Sequence, residues 1–93
     1  MQVTFKSFGP LRRVIQEPKV YLEVPSDATV RTVIDKVVEV WGTKAEHLIF
    51  EDDHISGNLI IMVNMQDADG LAGEATPVRD GDEIALLPHV QGG

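Results

Sequence analysis

A single amphipathic segment limits the possible folds of this chain more than any other feature of the sequence. Its apolar residues recur at helical spacing and form one stripe over about three turns, made up of Val30, Val33, Ile34, Val37, Val38 and Trp41. Thr29 is a suitable N-cap and Gly42 a suitable C-terminal stop, so the pattern predicts a helix over residues 30–41. A helix with one apolar stripe must bury it against a second layer, and in a chain of 93 residues that layer has to belong to the same domain.

Four other segments have the pattern of β-strands and can supply this layer. Residues 1–8 and 19–24 alternate apolar and polar side chains, which is typical of strands with one buried face. Residues 58–65 are apolar on both faces and predict a strand that is covered on both sides, or covered on one and exposed to a partner on the other. A last strand is predicted at 83–87 and ends at Pro88.

The order strand, strand, helix, strand, strand predicts an α+β domain. The first two strands are joined by a brief helical turn, predicted at 11–15, and are expected to pair antiparallel. The first and last strands are candidates for a parallel pair in the middle of the sheet, although periodicity does not determine that pairing. Residues 44–57 are expected to be irregular with one helical turn, 66–76 to form a loop, and 89–93 to form a mobile tail.

Composition excludes several classes of function. The chain has no cysteine, so it has no disulfide, thiolate nucleophile or cysteine-ligated metal. A net charge of −7 argues against nucleic acid as a partner, because phosphate backbones require Lys/Arg patches, and it suits steering toward basic protein partners. The longest apolar run, 59–63, is far shorter than the roughly 20 residues of a membrane helix. With no signal peptide recognisable in residues 1–6, we expect a cytoplasmic protein without a membrane partner.

Side chains of catalytic or metal-ligating type do not form a recognisable site. Glu51, Asp52, Asp53 and His54 are metal-ligand types, but such a run on a polar loop is more typical of a solvated surface, and no metal is assigned. His89 is a candidate general base, although a histidine at a chain end is more often an exposed polar residue. The sequence contains no Ser/His/Asp or Cys/His arrangement and no phosphate-binding glycine loop. An enzyme that acts alone is therefore not expected.

The C-terminal stretch DGDEIALLPHVQGG, residues 80–93, resembles the ending of the MoaD/ThiS family of ubiquitin-like sulfur carriers. Segments 8–15, 24–37 and 60–64 are similar to the family's aromatic-x-x-Leu-Arg, proline to Thr-Val, and Val-Asn segments. The chain departs from the family pattern at four positions that usually carry an acidic residue, glycine, proline and serine, which are here Arg13, Met65, His89 and Gln91.

This resemblance implies a ubiquitin-like β-grasp fold, with a mixed sheet of four to five strands packed on one main helix in residues 1–88 and a flexible Gly-Gly tail in 89–93. It also implies that an E1-like adenylyltransferase uses ATP to activate the Gly93 carboxylate. A sulfur donor then converts it to a thiocarboxylate for an acceptor enzyme such as a molybdopterin synthase large subunit, and the carrier itself binds no cofactor. Two alternatives stay open: a modifier conjugated to lysines through Gly93, as in some archaeal relatives, and a non-catalytic interaction module.

The tail suits this chemistry for physical reasons. The terminus must reach deep into an enzyme pocket, and from Pro88 the remaining residues span at most roughly 20 Å. Gly93 places no side chain beside the reacting carbon, and Gly92 allows close approach of the backbone to partner groups. The residues expected to thread into the partner are His89, Val90, Gln91 and Gly92.

Strand alternation also predicts a docking surface. If Ile84 and Leu86 face the helix, Leu87 faces the other way, and by the same rule Ile60 and Met62 share that outer face. We predict that Ile60, Met62 and Leu87 form a partner-binding patch, rimmed by the acidic residues Asp80, Asp82 and Glu83. The alternative is that residues 44–57 fold back over this face. The predicted core consists of Val3, Phe5, Leu22, Val33, Ile34, Val37, Ile61, Val63, Ile84 and Leu86.

Overall fold

A computed structural model of the chain describes residues 1–88. The elements are, in chain order, β1 (Gln2–Ser7), α1 (Pro10–Ile15), β2 (Lys19–Glu23), α2 (Val30–Trp41), α3 (Thr43–Ile49), β3 (Phe50–Glu51), β4 (His54–Ile55), β5 (Leu59–Val63), β6 (Gln66–Asp67), two 3-10 turns (Ala68–Gly70 and Gly73–Ala75) and β7 (Glu83–Pro88). The predicted helix at 30–41 is confirmed with the same bounds, and the predicted strands are confirmed to within two residues.

Five of the strands form one mixed sheet in the order β2-β1-β7-β5-β6. The first two strands pair antiparallel, as predicted. β1 and β7 lie parallel in the middle, with Phe5 opposite Ile84, and β7 pairs antiparallel with β5, with Leu86 opposite Ile61. One face of this sheet packs against the apolar stripe of α2. The α+β class and the mixed sheet on one main helix are therefore confirmed.

Helix α2 is fixed at both ends by local hydrogen bonds. The Thr29 hydroxyl accepts a hydrogen bond from the Thr32 backbone N–H at 3.4 Å, and the Thr32 hydroxyl accepts one from the Thr29 N–H at 3.1 Å. These two bonds satisfy donors that the first helical turn leaves free. At the other end Gly42 adopts a φ of 79°, which favours glycine and stops the helix.

Loss of this N-terminal cap gives a direct test of how α2 is held. We expect Thr29→Ala to lower the free energy of unfolding by about 1 kcal/mol, because the Thr32 N–H loses its acceptor. Urea unfolding followed by circular dichroism measures the change. Thr43→Ala, which removes the same atoms from an exposed threonine, is the matched control; an equal loss in both variants would contradict the cap.

The predicted core is confirmed at nine of its ten positions, each of them at most 7% exposed. Ile61 is the exception, since it is half-buried and packs against the core from its margin. The reason is the open edge beside it: β6 pairs only with Met62 and Val63, so no strand flanks Ile61 on that side. Trp41, at the C-terminal end of the apolar stripe, is half-buried for a similar reason, because it lies at the margin of the core.

Residues 43–57 are more regular than predicted. They form helix α3, which packs against α1 and α2, and then a short hairpin of β3 and β4. Ala45 and Ile49 of α3 are completely buried. Because this segment lies on the helix side of the sheet, the alternative in which it covers the outer face is wrong.

Arg31 ties the hairpin to α2. Its guanidinium group donates to the Asp35 carboxylate at 2.9 Å, to the Asp53 backbone oxygen at 2.8 Å and to the Glu74 carboxylate at 3.0 Å. It also lies 4.5 Å from the centroid of the Phe50 ring. The hydrogen bond to Asp35 raises the pKa of Arg31 above its usual value.

Candidate functional site

The sheet face opposite α2, here called the outer face, carries a shallow apolar groove. Strand register brings Lys6, Ala85 and Met62 into one row across β1, β7 and β5. A hollow of about 270 Å³, here called the outer groove, is lined by Lys6, Phe8, Met62, Met65, Glu83, Ala85 and Leu87. Ile60 lies directly opposite Leu87 on the same face. The predicted patch of Ile60, Met62 and Leu87 therefore lies together on the outer face, and its role in partner binding stays a prediction.

Phe8 and Met65 line the outer groove but were not predicted from the sequence to lie on the docking surface. Phe8 follows β1 and is 37% exposed, while Met65 is 85% exposed. Phe8 continues the alternation of β1 by two residues beyond Lys6, so this signal was available in the sequence. Met65 occupies a tight turn between β5 and β6 at a φ of 68°, and its direction depends on that turn rather than on strand periodicity.

The β5–β6 turn is fastened to the start of β7 by Asn64. Its backbone N–H donates to the Glu83 oxygen at 2.8 Å, its side-chain oxygen accepts from the Glu83 N–H at 2.9 Å, and its side-chain nitrogen donates to Asp82 at 2.9 Å. Asn64 has a φ of 50°, a left-handed conformation that asparagine tolerates better than most residues. These hydrogen bonds therefore fix the position of the β5–β6 turn relative to the start of β7.

The acidic residues proposed as a rim have structural partners. Asp80 accepts from the Gln2 N–H at 2.8 Å, and Asp82 accepts from the Arg79 N–H at 2.8 Å as well as from Asn64. Both hold the turn at the start of β7, at the end of the strand farthest from Pro88. Glu83 borders the outer groove and forms an ion pair with Lys6 at 3.4 Å. Contact of these three carboxylates with a partner stays a prediction.

The last described residue, Pro88, is here called the tail root, and it has neighbours on both sides. Pro88 is the last residue of β7 and lies opposite Leu59. On the other side is Gly9, whose φ of 61° favours glycine, and a Cβ built there would lie 3.2 Å from the Pro88 ring. The threading residues and the reactive terminus, which are His89, Val90, Gln91, Gly92 and Gly93, lie outside the described residues.

Other polar sites are weaker candidates. The Glu51–His54 run forms the hairpin of β3 and β4, and among residues 1–88 no three His, Asp or Glu side chains approach closely enough to hold a metal ion. A cleft of about 470 Å³ beside β5 is lined by Asp67, Asp69 and Glu74 among others. The Glu74 carboxylate there is already bonded to Arg31 and to the Ile55 N–H. In the same described part of the chain, no helix has the length and apolar character needed to cross a membrane.

Comparison with known proteins supports the predicted fold and family. Residues 6–93 match the model of the ThiS family. The chain is 30% identical to small archaeal modifier protein 3 of Haloferax volcanii over 100% of both chains. It is 28% identical to the molybdopterin synthase sulfur carrier subunit of Drosophila melanogaster, over 92% of this chain and 84% of that one.

Among solved structures, a chain of the Amycolatopsis orientalis BexX/CysO complex superposes with a TM-score of 0.81 at 27% identity, over 98% of this chain and 99% of that one. The ubiquitin-like β-grasp fold implied by the sequence is thereby confirmed. The relatives named here are a sulfur carrier subunit and a protein modifier. The chain belongs to the ThiS family of ubiquitin-like sulfur carriers and protein modifiers.

Proposed function

We propose that this protein is a sulfur carrier whose reactive group is its own C-terminal carboxylate at Gly93. In a partner E1-like adenylyltransferase, the carboxylate attacks the α-phosphate of ATP, and pyrophosphate leaves. The persulfide sulfur of a donor then displaces AMP at the carbonyl carbon and forms an acyl disulfide. A second thiol, supplied by a partner because this chain has no cysteine, attacks the donor's sulfur, which releases the thiocarboxylate and leaves a disulfide between the two thiols. The protein is a co-substrate in this scheme, so it contributes the acyl group and a docking surface rather than catalytic side chains or a bound cofactor.

One observation carries the docking part of the proposal. The outer groove includes Leu87, which immediately precedes Pro88 at the root of the tail. A partner that covers this groove is therefore positioned to receive residues 89–93, whose reach is roughly 20 Å at most. The groove is mainly apolar, with the single ion pair of Lys6 and Glu83 at its border, so its burial on docking is favourable.

The acceptor that we favour is an enzyme of the molybdopterin synthase large-subunit type. The similarity to the Drosophila molybdopterin synthase sulfur carrier subunit supports this choice. The alternative is a protein modifier that forms isopeptide bonds to lysines through Gly93, and the full-length similarity to small archaeal modifier protein 3 favours it. The same activated terminus serves both. In either case we expect protein partners in the cytoplasm, and neither nucleic acid nor a membrane.

Charge introduced into the outer groove tests the docking site. We expect Met62→Asp or Leu87→Asp to weaken binding to the activating enzyme about tenfold or more, because a carboxylate would have to be desolvated in an apolar interface. Isothermal titration calorimetry measures this affinity, and thermal unfolding checks that the fold is retained. Both side chains are only half-buried and face away from α2, so little loss of stability is expected.

Leu71→Asp is the matched control, since Leu71 is 45% exposed and does not line the outer groove. It adds the same charge to an exposed leucine and should leave the affinity unchanged. If the Met62 and Leu87 variants bind as tightly as the Leu71 variant and the unaltered protein, the docking site lies elsewhere. Unfolding of the Met62 and Leu87 variants alone would mean that these residues belong to the core.

A further inference from the structure

We infer that Met65 is a specificity-determining residue of the docking surface, kept at a cost in backbone strain so that it can enter an apolar hollow of the activating enzyme. This inference rests on the proposed function and deepens it. Met65 has a φ of 68°, in the left-handed region that is unfavourable for residues other than glycine, asparagine and aspartate. Two-residue hairpin turns of this kind prefer glycine at the second position.

The Met65 side chain is not part of the core described in residues 1–88. Its side chain is 85% exposed, the highest value among the large exposed apolar residues of residues 1–88. The turn itself is held by Asn64, which makes its hydrogen bonds to Asp82 and Glu83 without any contribution from the Met65 side chain. A glycine at this position would meet the same requirements of the turn with less strain.

The position of Met65 places its side chain where a docking partner can contact it. It lines the outer groove together with Met62, Ala85 and Leu87. It lies at the Glu83 end of β7, whereas Leu87 lies at the Pro88 end, so the two mark opposite ends of one apolar track about 13 Å long. A methionine is unbranched and adaptable, which suits an apolar contact with a partner surface.

The occupant that fits this track is the activating enzyme that takes the tail. A partner that contacted only the tail root would leave the Met65 side chain exposed to water. The inference therefore requires a contact surface that extends along the whole length of β7. Burial of a methionine side chain of this exposure on association is worth about tenfold in affinity. The partner surface opposite Met65 is accordingly expected to be apolar and uncharged, because a charged group there would have to be desolvated.

The test compares Met65→Gly with the unaltered protein. We expect the dissociation constant for the activating enzyme, measured by calorimetry, to rise about tenfold, while the thermal midpoint stays the same or rises because strain is relieved. Met65→Leu should keep most of the affinity. Gln16→Gly is the matched control: Gln16 also has a positive φ, 66°, and is exposed, but it does not line the groove. It should relieve strain without any change in affinity.

The outcomes separate this inference from the proposed function. If the unaltered protein is bound and activated but Met65→Gly binds equally well, the inference is wrong and the carrier function stands. If Met65→Gly weakens binding only to the sulfur acceptor, the inference is also wrong, because the occupant is then a different enzyme. If the unaltered protein is neither bound nor activated, the proposed function fails and the inference fails with it.

Discussion

Deletion of Gly93 is expected to abolish activation of the protein while leaving its fold intact. The reacting carboxylate would then belong to Gly92 and would stop about 3.5 Å short of the ATP in the enzyme pocket. A displacement of even 1 Å from the reactive geometry costs about a hundredfold in rate. ATP–pyrophosphate exchange catalysed by the activating enzyme measures the loss, which we expect to be complete within the sensitivity of the assay.

The control for this deletion is the stability of the domain. The core cluster described above is built from residues 3–86, so we expect thermal unfolding of the truncated protein to match that of the full chain. Replacement of Gly92 by a bulky residue should have the same effect on exchange, because the backbone can no longer approach the partner closely. A truncated protein that drives exchange at the normal rate would mean that the reactive group is not the Gly93 carboxylate.

Ile84→Ala is expected to produce the largest loss of stability. Ile84 is completely buried in β7, between Phe5 of β1 and Val63 of β5. Truncation of a buried isoleucine costs about 2–5 kcal/mol through lost transfer free energy and the cavity left behind. A domain of this size has about 5–10 kcal/mol of stability in total, so a large share of the population should unfold on mild heating. Chemical denaturation measures the change.

Val40→Ala is the comparison for this core variant. Val40 lies on α2 but is 53% exposed, so removal of its methyl groups leaves no cavity. The substitution should change stability by less than about 0.5 kcal/mol, and alanine's better helix propensity favours a small gain. Similar losses in the two variants would contradict the register assigned to β7, which depends on Ile84 facing α2.

Most of the fold followed from periodicity. The stripe from Val30 to Trp41, bounded by Thr29 and Gly42, was long enough to define α2 to the residue, and alternation placed Val3 and Phe5 on the buried face of β1. Periodicity assigns a face to each residue but names no neighbouring strand, so the parallel pairing of β1 with β7 had to come from the structure.

Helix α3 was predicted only as a single turn within an irregular segment, for a different reason. It buries only Ala45 and Ile49, while Leu48 between them is 38% exposed. A short helix with two buried residues has too weak an apolar pattern to be recognised, and packing against α1 and α2 stabilises it.

The site was predictable to the same extent as the strands that carry it. Alternation brought Ile60, Met62 and Leu87 to one face, and the structure places them there. Met65 was missed because its direction follows from a turn at positive φ, which depends on the hydrogen bonds of Asn64 rather than on a repeat. The turn-building roles of Asp80 and Asp82 depend on the same long-range contacts.

The most direct test of the carrier function is the intact mass of the full chain after incubation with the E1-like enzyme, ATP and a sulfur donor. We expect a mass gain equal to the exchange of one oxygen for one sulfur, abolished when ATP is omitted and when Gly93 is deleted. New adducts on lysines of other proteins, without that gain, would favour the modifier. An unchanged mass, with no adducts and no pyrophosphate exchange, would contradict the claim that the terminus is activated at all.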